Sequence, residues 1–202
     1  MRLLIASTNP GKIREYGQMF SDLDLEIVGL QAVGLETLVV DEPYVTFEEN
    51  AVHKAQTYAR ASGLMTLADD SGLEVDALGG RPGVYTARYA GEGASDADRY
   101  MKLLAEIASV PDAERGAHFV CVIVVAQPDS AQVRQVRGEC EGHIAHAPGD
   151  GAYGFGFDPV FIPDGYDVTF NALPPEVKNR ISHRGRAAQL ILPVLAELAG
   201  EA

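Results

Sequence analysis

An α/β fold built on a mixed β-sheet is what this sequence predicts, and three observations carry that reading. Short apolar runs that fit strands alternate along the chain with stretches whose apolar residues recur at helical spacing. The segment AHFVCVIVVA, residues 117–126, is almost continuously apolar, the pattern of a strand central in a sheet. After a turn at Gln127, Pro128, Asp129 and Ser130, residues 132–144 alternate apolar and polar positions and predict an antiparallel neighbour, which makes the sheet mixed.

The elements follow in order. Residues 2–6 read as a first strand and residues 10–22 as a helix, with Pro10 and Gly11 at its mouth and Ile13, Tyr16, Met19 and Phe20 on one face. Residues 25–30 fit a second strand, and residues 37–41 a third strand or an extended loop closed by Pro43. Thr46 opens a helix that Gly63 stops. Residues 64–72, LMTLADDSG, predict a buried strand that runs into a turn bearing Asp69 and Asp70. Residues 73–77 alternate like a strand, and a glycine-rich loop with Arg81 and Arg88 follows. Ser95 starts a helix carrying Tyr100, Leu103, Leu104 and Ile107 on one side. Beyond the central hairpin lie a glycine-rich loop over residues 149–158, a short strand over 159–162, and a helix over 174–181. A last helix extends to about Leu198 through Pro193, where a kink is expected.

Composition narrows the function classes. A chain of 202 residues is long enough for one domain with a real core, or two lobes of one domain. Its 29 acidic against 16 basic residues give a net charge of -13, which argues against non-specific nucleic-acid or anionic-membrane binding. The first residues hold only a short apolar run before Ser7, which predicts neither a signal peptide nor a spanning helix. Cys121 and Cys140 sit in strand-like sequence without metal-ligand spacing and read as buried residues of a cytoplasmic protein. His143 and His146 are three apart but have no third partner nearby in sequence.

Five stretches carry candidate chemistry, each with a structural alternative. Ser7, Thr8, Asn9, Pro10, Gly11 and Lys12 form a strand-to-helix turn that can offer amides, a helix dipole and an ammonium to a phosphate. Capping alone also explains it, and the turn is not a Walker A loop. Glu49 completes a Thr46-x-x-Glu49 capping box, and its alternative is a metal-ligating carboxylate near Asp70. Asp69 and Asp70 at a strand end suit a metal or phosphate site, or else a turn cap and a solvated acid. The rings of Tyr153, Phe155 and Phe157 on a glycine-rich loop ending at Asp158 suit a stacked nucleobase, or else tuck under the loop as core. His183 and Arg184 stand at a helix N-terminus, where basic residues call for a nearby anion. With Lys178 they complete the parts of a nucleoside triphosphate site.

Together these stretches resemble the inosine triphosphate pyrophosphatase family of non-canonical purine nucleoside triphosphate pyrophosphatases. STNPGK, FEENAVHKA, ADDSGLEVDALGGRPGVYTARYAG, GFGFDPVF and SHRGRA occur in that family's order and spacing across essentially the whole chain. Residues 20–45 and the hairpin around 127–140 contribute least. The resemblance implies a single two-lobed domain over 1–202, a long mixed sheet with flanking helices, and a central active-site cleft. It also implies a homodimeric, Mg²⁺-dependent hydrolase that cleaves ITP, dITP and XTP to monophosphate and pyrophosphate, clearing deaminated purines from the nucleotide pool.

Carried onto matching positions, Ser7, Thr8, Asn9, Pro10, Gly11 and Lys12 hold phosphates. Glu49 and Asp70 serve the metal, with Asp70 as proton acceptor, and Ser71 touches substrate. Phe155, Gly156, Phe157 and Asp158 line the base pocket, and Lys178, His183 and Arg184 complete the substrate contacts. Phe157 stands where the family commonly has tyrosine. Asp69 is expected to shape or polarise the turn. A pyrophosphatase for other modified or canonical nucleotides, or a nucleotide sensor without catalysis, would share the phosphate and metal parts.

Overall fold

The computed structural model describes residues 1–200. Six strands hydrogen-bond in the order β2-β1-β3-β4-β5-β6: β1 (Arg2–Ile5), β2 (Glu26–Gly29), β3 (Met65–Val75), β4 (Gly116–Ala126), β5 (Val133–Ile144) and β6 (Phe161–Pro163). β1 pairs in parallel with both β2 and β3, whereas β5 and β6 are antiparallel, so the sheet is mixed as the sequence predicts. Among the described residues five α-helices accompany it: α1 (Pro10–Met19), α2 (Phe47–Ser62), α3 (Asp96–Glu106), α4 (Pro175–Ile181) and α5 (His183–Gly200).

Each helix is bounded by the local chemistry its sequence carries. Asn9 caps α1, its side chain accepting from the amides of Gly11 and Lys12. The Thr46 hydroxyl accepts from the Glu49 amide at the start of α2, and Gly63 ends that helix at φ 67°, a left-handed value that costs glycine nothing. Ser95 and Asp98 form a reciprocal capping box on α3. Ser182 is extended, closing α4 immediately before α5 begins.

Residues 37–41 take the second of their two expected forms, a loop and not a strand. One expectation changes: β3 does not stop at the acid pair but runs on through Asp69, Asp70, Ser71 and Gly72 to Val75. Buried carboxylates can lie inside a strand only if they are compensated, and the partners described below supply that compensation. Successive residues of a strand face opposite ways, so Asp69 and Asp70 lie on different faces of β3.

The chain forms two compact units. One comprises Met1–Asp70, Cys121–Gly138 and the chain from Arg184 onward; the other comprises Ser71–Val120 and Glu139–His183. In the first, Leu3, Ile5, Leu67, Ile123, Val125, Ile191 and Leu195 are core residues. In the second the core gathers Leu73, Val75, Phe119, Phe157, Phe161 and Phe170. Phe119 meets Phe161 edge-on with ring centroids 4.8 Å apart. Cys121 and Cys140 are both buried and neither is in a disulfide, as read from their sequence context.

Candidate active site

The first unit holds the strand-to-helix turn and the two aspartates. In the turn, the Asn9 amide donates to Ser7 Oγ at 3.1 Å and Asn9 Oδ1 accepts from Gly11 N at 2.8 Å, so Ser7 and Asn9 are engaged in building the turn itself. Pro10 is the first helical residue and Gly11 is buried beneath it. Ser7 and Thr8 line an open depression of about 610 Å³, together with Ile13, Leu30, Gln31 and Glu36. The positive charge at this helix end is Lys12, whose Nζ stands 2.8 Å from Asp69 Oδ2.

Asp69 is enclosed by cations. Besides Lys12, Arg184 Nη2 approaches the same oxygen at 3.4 Å, and Arg184 Nη1 donates to Glu15 Oε2 at 2.6 Å. The Cys121 thiol donates to Asp69 Oδ2 at 3.8 Å. Burial by itself pushes the Asp69 carboxyl upward, but Lys12, Arg184 and Lys54 outweigh it and hold the group well below the usual carboxylate range. The anion that basic residues at the start of α5 call for is therefore supplied, for Arg184, by the protein's own Asp69 and Glu15.

Asp70 lives in the opposite environment. Its Oδ2 accepts from Asn50 Nδ2 at 3.1 Å, and Asn50 is fixed by Tyr44, accepting from its amide at 3.0 Å and donating to its carbonyl at 3.2 Å. Burial, then the negative charge of Glu42, raise the carboxyl against the pull of Lys54, Lys12 and the Asn50 hydrogen bond, leaving it at about 6. Lys54 Nζ pairs with Glu42 and also donates to the Asp69 carbonyl at 3.1 Å. Burial works against the charge on Lys54, and Glu42, Asp69 and Asp70 more than restore it.

Glu49 is exposed, and its Oε2 accepts from the Thr46 hydroxyl at 2.7 Å. A carboxylate whose field reaches Asp70 is Glu42, from the segment before α2, a residue that sequence reading passes over. An acid between Asp41 and Pro43 in loop sequence gives no periodic or motif signal; its meaning comes from Lys54, which binds it.

The second unit holds the glycine-rich loop, and its three rings divide. Tyr153 is exposed, Phe157 is 1% exposed and belongs to the core, and Phe155 is half-buried. Of the three, Phe157 is the ring that tucks under the loop as core. Asp158 organises this loop from within: its Oδ2 accepts from the Phe155 amide at 2.7 Å and from Lys178 Nζ at 2.6 Å. Gly154 has φ +78°, and a Cβ there would lie 2.1 Å from Asp158 Oδ2, so only glycine leaves room for the carboxylate. Buried Lys178 places its ammonium 4.9 Å from the centre of the Phe155 ring. His183 stacks on Phe119, ring centroids 4.6 Å apart at 10°. Ser71, which follows Asp70 on β3, and Gly156, which follows Phe155, are half-buried, and Asp158 is buried.

Residues 3–194 match the model of the Ham1 family. The chain belongs to the Ham1 family. Among its relatives, the dITP/XTP pyrophosphatase of Oceanobacillus iheyensis is 44% identical over 186 residues, covering 92% of this chain and 93% of that protein. The dITP/XTP pyrophosphatase of Streptomyces coelicolor is 45% identical, with 98% and 99% covered. In three dimensions the chain superposes on the Ham1 protein of Coxiella burnetii with a TM-score of 0.88 at 37% identity, over 98% of this chain and 99% of that one. For the Staphylococcus aureus Ham1 protein the TM-score is 0.84 at 40% identity, with all of both chains covered. The mixed sheet with flanking helices is thus the Ham1 fold, as the sequence motifs lead one to expect. No helix among the described residues is long and apolar enough to cross a membrane.

Proposed function

We propose that this chain hydrolyses the non-canonical purine nucleoside triphosphates dITP, ITP and XTP between the α and β phosphates, releasing monophosphate and pyrophosphate. The observation that carries this reading is Asp70, a buried carboxylate raised to about 6 and aimed by Asn50, in a Ham1 chain whose near full-length relatives are named for this activity. A group of that kind suits a proton acceptor, since its pKa lies close to working pH.

In the reaction, the oxygen of water bonds to the α-phosphorus, the bond from that phosphorus to the bridging oxygen breaks, and pyrophosphate leaves with the electron pair. Asp70 orients the water and accepts its proton. Asn50 keeps the carboxylate pointed, and Lys12 and Lys54 keep positive charge at the phosphate end, which we assign to Ser7, Thr8, Pro10, Gly11 and Lys12. Asp69 acts differently, fixing Lys12 and Arg184 in place.

The donor set fits a hard divalent cation. Asp70 and Glu42 offer oxygen ligands, and their mutual repulsion, with burial, makes the negative charge costly until a cation neutralises it. We assign Asp70 and Glu42 to hold Mg²⁺, and Glu49 to capping α2 through Thr46. When bound, the ion supplies positive charge to phosphate oxygens and keeps Asp70 ionised.

The base is assigned to the loop of Phe155, Gly156 and Asp158, with Lys178 beside the Phe155 ring. Hypoxanthine and xanthine present an acceptor at O6 and a donor at N1, and adenine reverses both. A dry site matched to the first pattern leaves its own polar groups unpaired with adenine, a penalty of about 1–3 kcal/mol per group. The working assembly in this proposal is a homodimer.

Pyrophosphate release from dITP, ITP, XTP, GTP, ATP and dUTP with Mg²⁺ tests the reading. Release should be strongest from the first three. Comparable release from ATP or dUTP would make the chain a pyrophosphatase of other nucleotides, and binding without release from any of them would make it a sensor.

A further inference from the structure

A carboxylate far away in sequence holds the loop that carries Phe155. Asp96 is the first residue of α3, and its Oδ2 accepts from the Gly156 amide at 2.7 Å, across sixty positions of chain. Its other oxygen accepts from Arg99 Nη1 at 2.6 Å, while Arg99 Nη2 donates to the Ala94 carbonyl at 2.7 Å, so the carboxylate is itself oriented. Helix α3 offers a rigid base for this, because Ser95 and Asp98 close a capping box at the same turn.

The consequence for Phe155 is geometric. Its own amide donates to Asp158 Oδ2 at 2.7 Å, and the next amide, at Gly156, donates to Asp96. Two carboxylates therefore hold the peptide units on either side of one α-carbon, and with both units fixed the direction of the Phe155 Cα–Cβ bond, from which the ring extends, is fixed too. Gly156 itself has φ +63°, a left-handed value that glycine adopts without strain. An acid in the first turn of a helix is favourable by itself, but that interaction needs no bond to a distant loop.

We infer that Asp96 is a positioning residue for base recognition, setting the Phe155 ring through the Gly156 amide. This rests on the reading that Phe155 stacks the base of a purine triphosphate.

The test is steady-state pyrophosphate release from dITP by the full chain with Mg²⁺, for wild type, Asp96→Ala, Asp96→Asn, Phe155→Ala and the Asp96→Ala/Phe155→Ala double variant. Asp96→Ala should raise KM by about fivefold with kcat within about twofold, the loss of one charge-assisted hydrogen bond to a loop. Asp96→Asn, whose carbonyl oxygen still accepts, should recover most of that loss. In the Phe155→Ala background Asp96→Ala should add less than about twofold, because the ring it positions is gone. An unchanged KM in Asp96→Ala, or a KM effect that multiplies in full with that of Phe155→Ala, would overturn the inference while leaving the activity in place. If wild type releases no pyrophosphate from dITP, ITP or XTP, the proposed function falls and this inference with it. Should Asp96→Ala fail to fold by circular dichroism, Arg99→Met, which frees the carboxylate but leaves it present, should raise KM by about twofold, and no change there would equally overturn it.

Discussion

Asp69 and Asp70 are neighbours on one strand, alike in chemistry and both buried, yet the two faces of β3 give them opposite characters. Asp69 meets Lys12 at 2.8 Å and Arg184 at 3.4 Å and is held ionised. Burial, then the repulsion of Glu42, push Asp70 up to about 6 against the hydrogen bond from Asn50. The difference teaches that burial and the charges facing a carboxylate together set its character: one joins an ion cluster and is held ionised, the other is raised, which fits the proton-acceptor role proposed for it.

The sharpest way to break this comparison is at Asp70. Asp70→Asn should lower kcat for dITP by about 10³-fold, within the range of general-base contributions, while KM changes by no more than a few-fold. Activity near wild type would remove Asp70 from the chemistry. At Asp69 the same change should act on stability: Asp69→Asn leaves Lys12 and Arg184 short of their anion and should cost about 3 kcal/mol in urea unfolding at pH 7. Since the folded carboxyl of Asp69 is depressed, that contribution is present above about pH 4 and is lost as pH falls below it.

For Asp70 the sign reverses. Its folded carboxyl lies above the unfolded value, so the native state holds a proton that the unfolded state has released between about pH 4 and 6, and stability is lost as pH rises through that window. In metal-free protein at pH 8, Asp70→Asn should therefore be more stable than wild type by up to about 3 kcal/mol, the gain vanishing below about pH 4. Thermal melting across pH 4–8 with chelator reads this directly, and a variant less stable at pH 8 would contradict the environment described for Asp70.

The metal assignment sharpens the comparison further, since the second carboxylate on the Asp70 side, Glu42, raises Asp70, whereas the one on the Asp69 side, Glu15, is bound to Arg184. Glu42→Gln should raise the Mg²⁺ concentration for half-maximal activity by about tenfold, and Glu49→Gln by less than about twofold, with a small loss of stability as a weakened helix start. The reverse order would return the second ligand to Glu49. A comparable effect concerns another pair of near neighbours. Phe155→Ala should raise KM for dITP by about tenfold, following a stacking contribution of about 1–3 kcal/mol, while Phe157→Ala should act through core packing and lower the melting temperature. If both variants shift only stability, Phe155 belongs to the core as well.

Much of this was legible in the residues. The strand and helix order, the caps at Asn9, Thr46 and Ser95, and the stop at Gly63 are encoded within a few residues of where they act, because hydrogen bonding and backbone preference are local. The blocks around Lys12, Asp70, Phe155 and Arg184 likewise identify the family from sequence order alone. Local pattern misplaced the end of β3, since a pair of acids looks like a strand terminus until its counter-charges are known. It also merged the three rings of the glycine-rich loop, which differ only in burial.

What the sequence by itself determined is the fold class, the boundaries of most elements and the set of groups available for chemistry. Only the tertiary structure decided how those groups are shared out: the charge of Glu42 brought to bear on Asp70, Arg184 turned to Asp69 and Glu15, and Asp96 bound to an amide sixty residues away. The physical reason is that charge and hydrogen-bond partners act over a few ångströms of space regardless of chain separation. A carboxylate's pKa, its ion pair and its use belong to whichever residues folding brings against it.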